Sequence, residues 1–256
     1  MINKRQRFKQ IKNFFLYYGI GKAEESSQFD LAIVEPQGQN KESIEIMQSA
    51  GTLVIAYVSV VEIFEGFPYY KLLKDEDFLK IDNKPVMNKE FNTYLIDLKS
   101  ERWSSILMHH IGNLILNENY DGIFLDTIGD VEFSIFNEKL QGQLICNAVE
   151  LIVKIRNLYK DIIIIQNNGL NKLIESTSKL IDGICWENPI FGNPESADWM
   201  EYVIHKLSTL SKEDGIKVLL LYEEKNFAKE ELITIKYAEK IAENNKFLIW
   251  KTKSYC

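Results

Sequence analysis

The chain is poor in the residues that staple a fold, hold a metal or cross a membrane. Its 256 residues include three cysteines, Cys146, Cys185 and Cys256. They are few, odd in number and without metal-ligand spacing, so no disulfide framework is indicated. The three histidines, His109, His110 and His205, all fall in helical patterns and form no ligand pair. A metal site is therefore not expected. No apolar run approaches the ~20 residues that a membrane helix takes, so no span is expected. No Lys/Arg cluster offsets the net charge of −7, which argues against a nucleic-acid partner. No glycine follows Gly215. Phosphate sites of barrel enzymes use glycine-containing loops after the last two strands, so phosphorylated substrates and cofactors are not expected either. A G-x-S-x-G elbow is absent as well. No Pro/Gly/Ser-rich stretch divides the chain, which reads as a single domain over 1–256. The first 22 residues start basic and turn apolar. The apolar part is too short for a secretion signal, lacks a small-residue cleavage site and is needed as a strand. As written, the chain reads as cytoplasmic, or as extracellular if a signal has been removed. Nothing in the sequence speaks to oligomeric state.

What the chain does have is a six-residue figure that occurs twice. Asp121–Asp126 reads Asp-Gly-Ile-Phe-Leu-Asp, and Asp182–Glu187 reads Asp-Gly-Ile-Cys-Trp-Glu. Three apolar residues precede a terminal acid in each copy, as in a buried strand. A charged group closing such a strand is costly unless it has a task.

Short apolar runs recur along the chain and predict eight strands: 14–18, 31–34, 52–59, 122–126, 162–166, 183–187, 217–222 and 247–250. Ile162–Ile165 and Val218–Leu221 are continuously apolar, the pattern of parallel strands covered on both faces. Helical patterns lie between them, over 41–50 (with Gly51 as C-cap), 101–117 (with Ser100 as N-cap), 136–159, 171–180, 196–213 and 229–244. This alternation predicts a (β/α)8 TIM barrel with a long loop after strand three. An open doubly wound sheet would want a glycine-rich first turn, and Gly19-Ile-Gly21 lacks the third glycine. All five prolines fall after strands two, three and six, on the face where barrel enzymes hold their sites. The connection 60–100 carries Phe64, Phe67, Tyr69, Tyr70, Phe78, Phe91 and Tyr94. These rings either stack on a ligand or pack the loop onto the barrel.

Strand residues two apart share a face, so Asp126 and Glu187 can both point into the barrel mouth. Strands four and six are separated by one strand, which puts their backbones roughly 9–10 Å apart. That separation accommodates both the retaining and the inverting spacing of a catalytic carboxylate pair. The competing reading is that each acid caps the following helix. Strand five ends in Gln166-Asn167-Asn168-Gly169. Asn167 and Asn168 are candidate hydrogen-bond donors to hydroxyls, or one of them is a helix N-cap. Tyr57, Ser59 and Glu62 at the end of strand three, Tyr222 in strand seven and Trp250 in strand eight are candidate pocket residues. Tyr222 and Trp250 read equally well as barrel packing. The leading Asp-Gly of each repeat reads as a turn into its strand.

These residues, in this order, resemble glycoside hydrolase family 114, the endo-α-1,4-polygalactosaminidase group, over about Phe14 to Trp250. The resemblance rests on Val54-Ile-Ala-Tyr57-Val-Ser59-Val-Val-Glu62, Asp121-Gly-Ile-Phe-Leu-Asp126-Thr, Gln166-Asn167-Asn168-Gly169 and the strand ending in Glu187. It implies a TIM barrel that hydrolyses α-1,4-linked, galactosamine-containing polysaccharide without a cofactor. Asp126 would be the nucleophile and Glu187 the general acid/base, with Trp186 helping to desolvate Glu187. The family pattern commonly has an Asp where this chain has Gly129, followed here by Asp130, and a Gly where this chain has Val61. The alternatives are a glycan-binding barrel without turnover, or an isomerase or lyase using the same two acids.

Overall fold

Strands with unbroken apolar runs need cover on both faces. The computed structural model, which describes residues 3–191, 194–223 and 232–255, supplies both covers. Strands one to eight are Phe15–Tyr17, Leu31–Val34, Leu53–Ser59, Gly122–Asp126, Ile163–Asn167, Gly183–Glu187, Lys217–Glu223 and Leu248–Thr252. Each runs parallel to the next, in sequence order. Strand eight returns beside strand one. The Phe15 and Trp250 rings lie 5.1 Å apart, and the Tyr18 amide donates to the Tyr255 carbonyl at 2.6 Å. The architecture is the expected (β/α)8 barrel, nearly closed, and every strand matches its expected range to within two residues.

Two apolar cores follow from the alternation of side chains along each strand. Inward residues such as Ile33, Ile55, Phe124, Ile165 and Leu221 fill the barrel. Outward residues such as Val54, Ile123, Ile164 and Leu220 pack against the helices. Local sequence sets the helix starts. Asn40 and Ser43 form a reciprocal capping box on the helix Lys41–Ser49. Ser100 caps Glu101–Leu116 by accepting from the Trp103 amide at 2.9 Å. Asn137 does the same for Glu138–Leu158 through the Leu140 amide. Gly51 ends the first of these helices at φ +97°, a backbone conformation that favours glycine. The helix expected over 171–180 shortens to Leu173–Thr177. Ala197–Glu213 stands where 196–213 was expected. The last helix is Leu232–Asn245, and the expected start of that element at 229 lies outside the described residues.

Two features were not legible in the sequence. A five-residue helix, Lys4–Phe8, lies beneath the barrel and inserts the fully buried Phe8 ring into its floor. It is too short to show a period. The connection after strand three is also more than a loop. Glu62–Ile63 and Met87–Asn88 flank Thr93–Leu95 as a small antiparallel sheet, and Lys80–Ile81 pairs with Lys84–Pro85. Strands of two or three residues carry no readable alternation.

The floor also explains the first half of the repeated figure. A Cβ on Gly122 would stand 2.2 Å from the Ile163 carbonyl oxygen, and one on Gly183 would stand 2.9 Å from the Phe8 ring. Asp121 accepts from the Val54 amide at 2.9 Å and pairs with Lys4 at 3.0 Å. Asp182 accepts from the Ile164 amide at 3.0 Å and pairs with Arg5 and Arg156, each at 2.7 Å. The leading Asp-Gly therefore does more than turn the chain. Each aspartate ties its strand to the preceding one and anchors the N-terminal helix.

Truncating Asp182 leaves two cations and a strand amide without their acceptor. Asp182→Ala is expected to lower unfolding free energy by about 3–5 kcal/mol, the cost of breaking a buried pair from one side. Urea unfolding at neutral pH measures it, and a loss below about 1 kcal/mol would place this group with ordinary surface ion pairs.

Candidate active site

At the opposite end of the strands a cleft of about 890 Å³ opens. Its floor is built from inward positions at the strand ends, and the connection after strand three contributes Phe64, Phe67 and Phe91 to its wall. Of the seven aromatic residues in that connection, these three and no others line the cleft. Tyr70, Phe78 and Tyr94 pack on one another, and Tyr69 packs on Phe67 and His110.

Asp126 and Glu187 each stand two residues beyond a fully buried inward side chain, Phe124 and Cys185 respectively, so both point into this mouth. Asn167, on the strand between them, joins them. Its Nδ2 donates to Asp126 Oδ1 at 2.7 Å and to Glu187 Oε2 at 2.9 Å. The two facing oxygens are thus closer than those lengths laid end to end. Facing oxygens this close are compatible with the ~5–5.5 Å between the carboxyl groups of a retaining pair. Both acceptors are carboxylates, so the amide must turn its nitrogen toward them. Its Oδ1 is buried and has no protein partner.

The second oxygen of Asp126 accepts from the Tyr57 hydroxyl at 2.6 Å. Burial raises the Asp126 carboxyl above its usual range, while Tyr57, Asn167 and the Thr127 amide oppose the rise. Burial also raises Glu187, and the neighbouring Asp126 charge adds to it. Two acids this close titrate as a pair, and the first proton to leave comes from the one with more donors. Asp126 has three.

Behind the pair lies a second one. Glu62 is almost fully buried and accepts from Asn88 Nδ2 at 2.9 Å and Thr93 Oγ1 at 2.6 Å, both brought by the small antiparallel sheet. Asp130 also hydrogen bonds to Glu62, and its carboxyl is pushed up to about 9, first by burial and then by the Glu62 and Asp126 charges. At neutral pH Asp130 is a neutral acid donating its proton. Thr127 supports this region in a left-handed conformation, φ 59°, that is rare for a β-branched residue. Its Oγ1 accepts from the amides of Val60, Val61 and Glu62 at 3.1, 2.9 and 3.2 Å. Such strain costs about 1–3 kcal/mol and persists only where the surroundings enforce it.

The family model of glycoside-hydrolase family GH114 matches residues 4–206. The chain belongs to this family. Among solved structures, the glycoside hydrolase domain of PelA from Pseudomonas aeruginosa is 14% identical, with 94% of each chain covered and a TM-score of 0.75. Ega3 from Aspergillus fumigatus, solved in complex with galactosamine, is 15% identical over 84% of this chain and 78% of that one, with a TM-score of 0.59. An α-galactosidase from Thermus thermophilus, in complex with stachyose, is 13% identical over 95% and 61%, with a TM-score of 0.64. At these identities the likeness is one of fold. No curated protein sequence gives a significant match.

Within this GH114 barrel, Tyr57, Ser59, Glu62, Asn167 and Asn168 join Asp126 and Glu187 around the cleft. Ser59 is turned into the wall, donating to the Glu62 carbonyl at 2.8 Å. Asn168 is not a helix cap. At φ 54° its Oδ1 accepts from the Glu187 amide at 3.2 Å, while Glu132 receives the amides of Asn171, Lys172 and Leu173 at the helix start. Tyr222 and Trp250 lie apart from the cleft. Strand seven points Leu221 and Glu223 inward, which turns Tyr222 out to the helix layer, where its hydroxyl donates to the Pro189 carbonyl. Trp250 packs inside the barrel against Phe15 and Phe29. Trp186 also faces outward, against Phe191 and Trp199, so the desolvation of Glu187 comes from the barrel mouth rather than from that ring.

Sequence reasoning passed over Tyr18, Glu35, Glu223 and Tyr255, which also line the cleft. Glu35 and Glu223 sit at or just past strand ends, and counting inward parity one residue further would have found them. Gly129 stands where the backbone is tightly packed: a Cβ there would lie 2.6 Å from the Gly169 nitrogen and 3.0 Å from the Asn167 carbonyl oxygen.

The buried neutral acid fixes a pH dependence. Asp130 has a folded pKa far above its unfolded one, so its contribution is complete below pH ~4 and is lost as pH rises toward about 9. Asp130→Asn keeps a donor to Glu62 and cannot ionise. Relative to the parent, the variant is expected to gain stability steadily from pH 5 to pH 9. Urea unfolding of both proteins across that range checks this, and a difference that stays flat with pH would contradict a protonated Asp130.

Proposed function

We propose that this GH114 chain hydrolyses α-1,4-linked, galactosamine-containing polysaccharide by a retaining, two-carboxylate mechanism. The observation that carries the reading is the single Asn167 nitrogen shared by Asp126 and Glu187. A shared nitrogen favours the closer spacing of a retaining pair over the wider one that leaves room for a water between acid and base. Family membership supports glycoside hydrolysis. The galactosamine in the Ega3 complex supports the sugar class. So does the cleft, where Glu35, Glu62 and Glu223 surround the two central acids and favour a cationic amino sugar over a neutral one.

In this reading Asp126, with three donors, stays ionised and attacks the anomeric carbon. Glu187, raised by burial and by the Asp126 charge, gives its proton to the departing glycosidic oxygen. The sugar is left as an ester on Asp126. Glu187 then takes a proton from water, which attacks the same carbon from the opposite face and releases Asp126.

The test is incubation with α-1,4-linked galactosamine oligomers, free and N-acetylated, followed by product sizing. Glu187→Gln is expected to lower kcat/KM by about 10²–10⁴-fold, and Asp126→Asn by at least as much. Proton NMR of the first product should show the α anomer. A β anomer would exclude Asp126 as nucleophile. Retained binding with no turnover in the parent protein would favour a glycan-binding barrel instead.

A further inference from the structure

Two phenylalanines stand open to solvent on the wall of the cleft. Phe64 is 48% exposed and Phe91 is 66% exposed, and both line the cavity that holds Asp126 and Glu187. No other comparably exposed large apolar residue among the described ones lines it. A single exposed apolar side chain is ordinary on a protein surface. Two on the wall of one cleft, each held in place, are a contact surface.

Local structure holds both. Phe64 follows the short strand Glu62–Ile63. Its ring lies against Gly66, where a Cβ would stand 2.5 Å from it, and meets Phe67 edge-on with centroids 6.3 Å apart. Phe91 sits in the turn between Met87–Asn88 and Thr93–Leu95, with Asn88 paired opposite Thr93. The Glu90 amide donates to Asn88 Oδ1 at 3.2 Å, and Asn92 closes the turn at φ 54°. The root of this hairpin is tied to the cleft floor, because Asn88 Nδ2 and Thr93 Oγ1 both donate to the Glu62 carboxylate. Two residues separate Phe91 from Thr93, so its Cα lies within about 7 Å of the Thr93 Cα. The tip is therefore fixed relative to the floor, and little freedom is lost when something docks on it.

We propose that Phe64 and Phe91 are stacking surfaces for sugar units of the polymer that lie outward from the cleaved bond. The proposal rests on the function proposed above and names how that site holds a chain rather than a single sugar. A galacto-configured pyranose carries its C3, C4 and C5 hydrogens on one face, which gives it an apolar side that fits an aromatic ring. The negative face of such a ring also attracts an ammonium group. Glu90, next to Phe91, lines the cleft as well, while Lys89 does not, so the charge beside the ring complements an amino sugar. Asp126 and Glu187 are only part-exposed at the floor, and the more open rings stand outward of them.

Calorimetric titration of Glu187→Gln, which leaves its substrate intact, with α-1,4-linked galactosamine oligomers tests this. Adding Phe91→Ala or Phe64→Ala is expected to weaken binding of long oligomers about tenfold, the effect of losing part of a phenylalanine's buried surface. The disaccharide should bind within twofold of the parent, and Phe91→Tyr, which keeps a ring, should restore the long oligomers. In the active protein the same two alanine variants should raise KM for long oligomers with kcat changed less than twofold. Unchanged affinity for long oligomers in either alanine variant overturns the proposal for that ring. An equal loss for the disaccharide overturns the outward placement. If the parent cleaves no oligomer yet binds long ones through these rings, the stacking surfaces stand and the proposed function falls. If it cleaves them and both alanine variants match it, the function stands and the stacking surfaces fall. Absence of binding to any galactosamine oligomer overturns both.

Discussion

Two carboxyl groups that share one amide nitrogen in a buried mouth cannot both be charged without more donors than a barrel floor provides. Asp126 and Glu187 are that pair, and most of what surrounds them is a response to it. Tyr57 and the Thr127 amide serve Asp126, and the Asn167 amide serves both acids. The same constraint reaches outward. Glu62 adds a further charge behind Asp126, and the small antiparallel sheet places Asn88 and Thr93 against it. Asp130 meets the problem by staying neutral. The strained backbone at Thr127 is held in this setting because its hydroxyl gathers three amides of the turn that carries Glu62.

The barrel was legible because its signal is long and redundant. Eight apolar runs with helices between them each needed cover on both faces, and the open doubly wound alternative lacked its glycine-rich first turn. Asp126, Glu187 and Asn167 were legible through parity, because a residue two beyond an inward residue also faces inward. Tyr222 was a candidate from its place near the end of strand seven, and parity turns it the other way. Strand seven runs one residue past its apolar stretch to Glu223, and the polar residue, not the aromatic one, takes the inward position. Tyr255 was beyond any such rule. Its place depends on where the chain goes after strand eight and on the closure of strand eight against strand one, a contact between the two ends of the sequence. Asn88 and Thr93 were hidden similarly, in strands too short to show alternation.

The repeated figure carries acids at both of its ends, and the two ends behave oppositely. At the floor, Asp121 and Asp182 are met by strand amides and by Lys4, Arg5 and Arg156. Each negative charge there has a positive partner, which favours the folded chain and leaves no reactivity. At the mouth, Asp126 and Glu187 are met only by neutral donors among the described residues. No cation among the described residues relieves them, so burial lifts both above the ordinary carboxylate range, with the Glu62 charge adding to Asp126 and the Asp126 charge to Glu187. A lysine or arginine at the mouth would make the fold more comfortable and the pair inert, since an acid held by a cation gives up its proton too early to protonate a leaving group. Neutral phenols and amides orient the carboxyls without fixing their charge. A carboxyl of that kind can pass from acid to base and back in one catalytic cycle.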